Sequence, residues 1–122
     1  RTALDAAKSL NCEVGAIVKS LLFKNGENYF LCLVSGDKRC SLNKLKKFFN
    51  SKDLSMASPN DVKEQTGYTI GGVSPIGHTN RLQILVDSSL NRFEDLFAAA
   101  GHPNCIFKIN FKDLKKITNG II

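Results

Sequence analysis

The sequence has no apolar run near the roughly 18 residues that a membrane-crossing helix needs, and its start lacks the charged, apolar, small-residue order of a secretory signal. A soluble cytoplasmic protein without a membrane partner is therefore expected. Arg1 stands where a methionine would, and Thr2 already suits a helix start, so we expect that upstream residues are missing. The four cysteines, Cys12, Cys32, Cys40 and Cys105, include no C-x-x-C pair, and only His78 and His102 could join them around a metal. Neither a zinc site nor another cofactor is expected. Cys12 and Cys32 read as reduced thiols used as small hydrophobes. Hydrolase signatures are missing as well: there is no G-x-S-x-G elbow, no H-E-x-x-H and no carboxylate pair at an obvious site. Nor is there a P-loop or a G-x-G-x-x-G dinucleotide fingerprint, an internal repeat, a linker or a low-complexity tract.

What remains is a chain of 122 residues, 43% hydrophobic and 23% charged, which suits a single globular domain over residues 1–122 with one buried core. Lysine and arginine number 17 against 11 aspartates and glutamates, a formal charge of +6. That balance favours a polyanionic partner, nucleic acid fitting best, although many basic proteins are merely soluble and charge alone does not decide.

The hydrophobic pattern predicts interleaved helices and strands. Thr2 caps a helix carrying Ala3, Leu4, Ala6, Ala7 and Leu10, with Asn11 at its end. Val14 to Phe23 and Tyr29 to Val34 read as a hairpin around a turn at Lys24, Asn25 and Gly26. Ser41 caps a helix with Leu42, Leu45, Phe48 and Phe49 facing inward. A short strand at Leu54 to Ala57 precedes a helix that opens on Ser58-Pro59 and ends at Thr66-Gly67. Leu82 to Val86, Phe93 to Ala100 and Cys105 to Ile109 read as strands, and Asn110 caps a last helix with Phe111, Leu114 and Ile117. Strict β-α-β alternation is absent and two hairpins imply antiparallel pairs. An α/β chain of the α+β kind, with a mixed sheet and flanking helices, is expected.

Four features carry candidate chemistry, each with a plainer reading beside it. Lys19 lies in the apolar run from Ala16 to Phe23, where its tip needs water, an acid or an anionic ligand; it could equally lay its stem over the core and reach solvent. In the loop Gly71-Gly72-Val73-Ser74-Pro75-Ile76-Gly77-His78, glycines let a ligand lie against the backbone and free its amides for an oxyanion, or they simply form a tight turn. His102, after Ala98-Ala99-Ala100-Gly101, could hydrogen-bond a hydroxyl or phosphate, or be a satisfied turn residue. The basic group Lys38, Arg39, Lys44, Lys46, Lys47 and Lys52 could follow a phosphate backbone or be a solvated surface.

Read together, Ile17-Val18-Lys19-Ser20-Leu21, Val34-Ser35-Gly36-Asp37-Lys38-Arg39, the stretch from Thr66 to Gly77, and Val86-Asp87-Ser88-Ser89-Leu90 resemble the YbaK/ProX family, the prolyl-tRNA editing domains found free-standing or inserted in prolyl-tRNA synthetases. The resemblance spans nearly the whole chain. It implies a partly barrel-like mixed sheet, a pocket for the aminoacylated terminal adenosine, and metal-independent hydrolysis of the ester of a mischarged tRNA. By the resemblance, Lys19 holds the tRNA 3′ end and the loop from Gly71 to Pro75 orients the ester carbonyl, so Lys19, Gly71 and Pro75 are the expected catalytic positions. Gly72, Ser74, Ile76, Gly77, Gly101 and His102 are expected to bind substrate, and Lys38, Arg39, Lys44 and Lys47 the nucleic acid. Implied partners are the acceptor end of an aminoacyl-tRNA and an aminoacyl-tRNA synthetase, with no DNA. The pair His102-Pro103 stands where the cysteine-specific branch carries a glycine-rich basic stretch, which points toward small amino acids such as alanine, serine or threonine and leaves cysteine open. Two other readings stand beside this one: a non-catalytic module that binds the tRNA 3′ end, and a protein-interaction domain whose basic surface is incidental.

Overall fold

The computed structural model describes residues 2–102 and 104–122, so the expectation placed on Pro103 lies outside the described residues. Four α-helices surround a mixed sheet of six strands. In chain order these are α1 (Ala3–Leu10), β1 (Ile17–Asn25), β2 (Asn28–Ser35), α2 (Leu42–Phe49), β3 (Leu54–Met56), α3 (Pro59–Thr66), β4 (Gln83–Val86), β5 (Leu96–His102), β6 (Cys105–Ile109) and α4 (Phe111–Thr118). The helices begin where short polar side chains satisfy free N–H groups: Thr2, Ser41, Ser58 and Asn110 each accept from the backbone three residues on. Three of them end on an asparagine in the left-handed region, Asn11, Asn50 and Asn119, and α3 ends on Gly67.

The strand order is β4-β2-β1-β5-β6, with β3 pairing β1 off this path. β1 with β2 and β5 with β6 are antiparallel; β1 with β5 and β2 with β4 are parallel. This is the mixed sheet with flanking helices that the pattern predicted, and it does not close, since β4 and β6 end the path. The outer edge of β4 is covered by the chain end, where Ile121 exchanges backbone hydrogen bonds with Ile84 and Val86. Covering an edge in this way blocks strand addition from outside.

Alternation sorts the sheet into two faces. Val18 and Leu22 of β1 join Leu31, Leu33, Val62, Val73, Ile84, Leu90, Leu96, Ala98 and Leu114 in the main core. Residues of the other parity, Leu21 and Phe23, pack with Phe30, Cys32, Val34 and Leu45 beneath α2.

Four local expectations are corrected. Val14–Ala16 form a 3-10 turn and the strand starts at Ile17; within the turn Gly15 lies too close to Phe93 and Asp37 to carry a side chain. The first hairpin runs two residues further than expected and turns on Gly26-Glu27, with Asn25 opposite Asn28 and Gly26 at φ +62°. Ser88–Arg92 form a second 3-10 turn, so β5 starts at Leu96 and not at Phe93. Phe48, expected inward, is 56% exposed, while its neighbour Phe49 lies 4.4 Å from Phe30 and takes the core position.

Candidate active site

The site is built on an interruption in the sheet. Along one edge β1 pairs with β2 from Val18 to Asn25. Along the other it pairs with β5 only at Ile17 and Val18 and with β3 only at Phe23, Lys24 and Asn25. Leu22 still accepts a hydrogen bond from Ala57, so the unpaired stretch is Lys19 to Leu21. A cavity of about 350 Å³ opens there, walled by Lys19, Ser20, Leu22, Val62, Ile70, Gly71, Val73, Ala98, Ala99 and the start of α1. Because the strand has no neighbour at this point, residues of both parities, Lys19 and Ser20, border the same space.

The Lys19 ammonium donates to the carbonyl of Lys38 at 2.5 Å. One of its three donors is thereby used, and the others can meet an anion or hydroxyl in the cavity. The Lys38 carbonyl is itself held in place. Ser35 is fully buried, its hydroxyl bonding the Gly15 carbonyl and Asp37. Arg92 grips Asp37 with two guanidinium nitrogens at 2.7 and 3.0 Å and also donates to the Ser35 hydroxyl at 2.9 Å. The guanidinium beside Asp37 holds that carboxyl at about 2, well below its ordinary 3.8. Asp87 closes the network by accepting from the Ser35 amide at 3.1 Å and from both the amide and hydroxyl of Ser89. Burial pushes the Asp87 carboxyl up, and these bonds, with the charge of Arg92, bring it below the ordinary value. Gly36 completes the turn, since a Cβ there would run into the Val14 carbonyl oxygen. The sequence motifs around Asp37 and Asp87 are thus two halves of one clasp.

Cys40 lies beside the same ammonium. A hydrogen bond from the Cys32 thiol, helped by Lys19, lowers the Cys40 thiol, while its partner Cys32 is pushed up by that bond and by burial.

The glycine loop is ordered by its own hydrogen bonds. Gly71 and Gly77 take left-handed φ of +87° and +76°, and Gly72, Val73, Ser74 and Pro75 are buried in succession between them. The Tyr68 hydroxyl donates to the Ile76 carbonyl at 2.9 Å, and a His78 ring nitrogen lies 2.7 Å from the Ser74 carbonyl. The Ser74-Pro75 bond is trans.

Of the expected positions, Lys19 and Gly71 share the cavity. Pro75 is fully buried, and Pro75, Ile76 and Gly77 face a neighbouring open cleft with His78, Arg81 and the chain end. Gly72 and Ser74 lie within the loop between these spaces. Gly101, at φ +99°, seats the Tyr68 ring, while His102 is exposed and its Nδ1 accepts from the Asn104 amide at 3.1 Å. Neither lines the cavity. Lys38, Arg39, Lys44 and Lys47 are exposed on the turn after β2 and on α2. Among the described residues, no three histidine, cysteine or acidic side chains are grouped as a metal site needs, and no helix is long and apolar enough to cross a membrane. Ser20, Tyr68 and Arg92 escaped the sequence reading. Ser20 and Tyr68 lie inside the segments that carry the resemblance, which gave them no role of their own, and Arg92 lies two residues beyond the segment around Asp87.

A small mixed sheet thus carries a cavity bordered by a cation and a glycine turn at an interrupted strand edge, and comparison with known proteins bears on the class. The model of the aminoacyl-tRNA editing domain matches residues 1–117, and the chain belongs to that family. It is 35% identical over 118 residues to the uncharacterized protein YwhH of Bacillus subtilis, covering 96% of this chain and 74% of that one. It is 40% identical over 77 residues to the proline–tRNA ligase of Fervidobacterium nodosum, 63% of this chain but only 13% of the ligase. A crystal structure described as a candidate trans-editing enzyme for prolyl tRNA synthetase superposes with a TM-score of 0.94 at 39% identity, covering 98% of this chain and 76% of that one. The chain is therefore an aminoacyl-tRNA editing domain homologous to those of prolyl-tRNA synthetases.

Proposed function

We propose that this chain hydrolyses, in trans, the ester that joins a wrongly attached small amino acid, such as alanine, serine, threonine or cysteine, to the 3′ end of tRNA-Pro. The observation that carries the proposal is the shared cavity of Lys19 and Gly71 at the unpaired edge of β1. In this scheme the Lys19 ammonium, steered by the Lys38 carbonyl, binds a phosphate or hydroxyl of the terminal adenosine through a charge-assisted bond. Gly71 has no Cβ to hold the ester away from the backbone, and amides of the loop meet the negative charge that develops on the carbonyl oxygen. A water attacks, assisted by a ribose hydroxyl of the substrate. The carbon–oxygen ester bond then breaks and the ribose oxygen takes a proton. Since the substrate helps to activate its own nucleophile, no side-chain triad and no metal ion are required, and turnover insensitive to chelators is expected.

The reading is tested by release of labelled amino acid from tRNA charged in turn with alanine, serine, threonine, cysteine and proline, using the wild type and Lys19→Ala. Lysine-dependent release from one or two of these is expected. Binding of tRNA without release from any would replace the hydrolase with a non-catalytic module for the 3′ end.

A further inference from the structure

Among the described residues, Phe48 is the one exposed ring of the eight phenylalanines and two tyrosines, with 56% of its surface open. It is the outer end of a file of four rings. Phe23 stacks on Phe30 with centroids 5.5 Å apart, Phe30 lies 4.4 Å from Phe49, and Phe49 meets Phe48 edge-on at 5.0 Å and 81°. Phe23 and Phe30 are buried and Phe49 is half-buried, so the exposed ring rests on a neighbour that the core fixes. Helix spacing sets what stands around it. Lys44 lies one turn before Phe48 and Lys47 three positions after Lys44, which places all three on one patch of α2, both lysines exposed. The helix carries no acidic residue. Among the described residues the cation–π contacts are Lys24 on Tyr29 and Arg92 on Phe93, so no cation of the chain covers the Phe48 ring.

We propose that Phe48 is a stacking platform for an unpaired RNA base, with Lys44 and Lys47 holding the phosphates that flank that base. A single exposed apolar side chain needs no explanation, and lysines alone are a solvated helix face. Together they supply the two things that a single strand requires, a π face for the base and cations for its backbone. A duplex hides the faces of its bases and would use the lysines alone, and a protein partner calls for a wider apolar patch than one ring. The inference rests on the reading above for the identity of the RNA as a tRNA 3′ end, but not for hydrolysis. Lys19 and Phe23 have the same parity on β1, about 13 Å apart at the rise of a strand, so the proposed anchor of the terminal adenosine and the file of rings share the side of the sheet that α2 covers. The unpaired nucleotides that precede the terminal adenosine are the ones assigned to Phe48.

The test uses uncharged RNA, a short single strand ending in CCA and a duplex with the same number of phosphates, titrated against the wild type, Phe48→Ala, Phe48→Leu and Phe48→Trp, with thermal melts to show that each variant folds. Phe48→Ala should weaken binding of the single strand by about tenfold and leave its salt slope and the duplex affinity unchanged, since stacking releases no counterions. Phe48→Leu keeps apolar bulk without a π face and should lose nearly as much. The chain has no tryptophan, so Phe48→Trp places one reporter at the site. It should bind as the wild type does, and its emission should change on adding the single strand and not the duplex. No binding of the single strand by the wild type, an affinity within about twofold in Phe48→Ala, equal losses on both RNAs, or a tryptophan emission that the bound single strand leaves unaltered would overturn the assignment. Because no ester is involved, ring-dependent binding by a protein that releases no amino acid would sustain Phe48 and refute only the deacylase reading. Release from charged tRNA with an unchanged KM in Phe48→Ala would do the reverse.

Discussion

A lysine in a largely apolar strand is a costly placement unless its charge is used, and at Lys19 the fold supplies one fixed acceptor, the Lys38 carbonyl at 2.5 Å. Replacing Lys19 by alanine removes an anchor without emptying the core, since the residue is only partly buried. Deacylation should fall by about a hundredfold or more while the melting temperature moves little, the loss expected when a substrate is no longer held in register. A folded Lys19→Ala protein with normal turnover would refute the assignment. Gly36 makes the opposite case. Any Cβ there meets the Val14 carbonyl, backbone that cannot swing aside, so Gly36→Ala should cost about 1–3 kcal/mol of stability by overpacking, measurable by urea denaturation. Legibility at this scale followed chemical contrast. Lys19 stood out as a cation in an apolar run and Gly71 as one of a group of glycines. Arg92 could not stand out, because an arginine in a polar stretch is ordinary until its bonds to Asp37 and Ser35 are seen.

Helix starts were legible because the caps are local: Thr2, Ser58 and Asn110 act on residues three positions away. The two 3-10 turns were not, because what fixes them is distant in sequence. Asp37 and Arg92 lie 55 positions apart and meet only once the sheet has formed. This pair ties the turn after β2 to the second 3-10 turn and thereby to the Lys38 carbonyl. Its effect on stability has a definite sign. The folded carboxyl sits at about 2, below its ordinary 3.8, so the stabilisation is complete above the ordinary value and is lost as pH falls through about 2. Both side chains are exposed by more than a third, so the effect is small and weakened by salt. Arg92→Met should therefore flatten the acid limb of the stability curve between those two values, and added salt should shrink the difference from wild type. An acid limb identical in the two proteins at low salt would show that the pair contributes nothing to folding. Because the guanidinium also fixes the turn that holds Lys19, the same variant should lower kcat at neutral pH more than it lowers stability.

For the molecule as a whole, the formal charge of +6 becomes informative once it is placed. Lys38, Arg39, Lys44 and Lys47 are exposed on the turn after β2 and on α2, and α2 packs on the face of the sheet that carries Leu21 and Phe23. Lys19 has the same parity on β1, so its side chain leaves the strand on the side of the sheet that α2 covers. An acceptor stem whose 3′ end enters beside Lys19 would bring its phosphates within reach of these basic residues. Pairing with phosphates supplies affinity that falls steeply with salt, whereas the chemical step depends on the cavity. The double variant Lys44→Glu with Lys47→Glu should thus raise KM for charged tRNA and leave kcat near the wild-type value. It should also reduce the salt slope of binding by about one unit for each phosphate that is no longer neutralised. Deacylation of a short aminoacylated oligonucleotide that cannot reach α2 should be unchanged. A variant with wild-type KM and an unaltered slope would place the tRNA on another face, and the lysines of α4, also exposed, would be the next to replace.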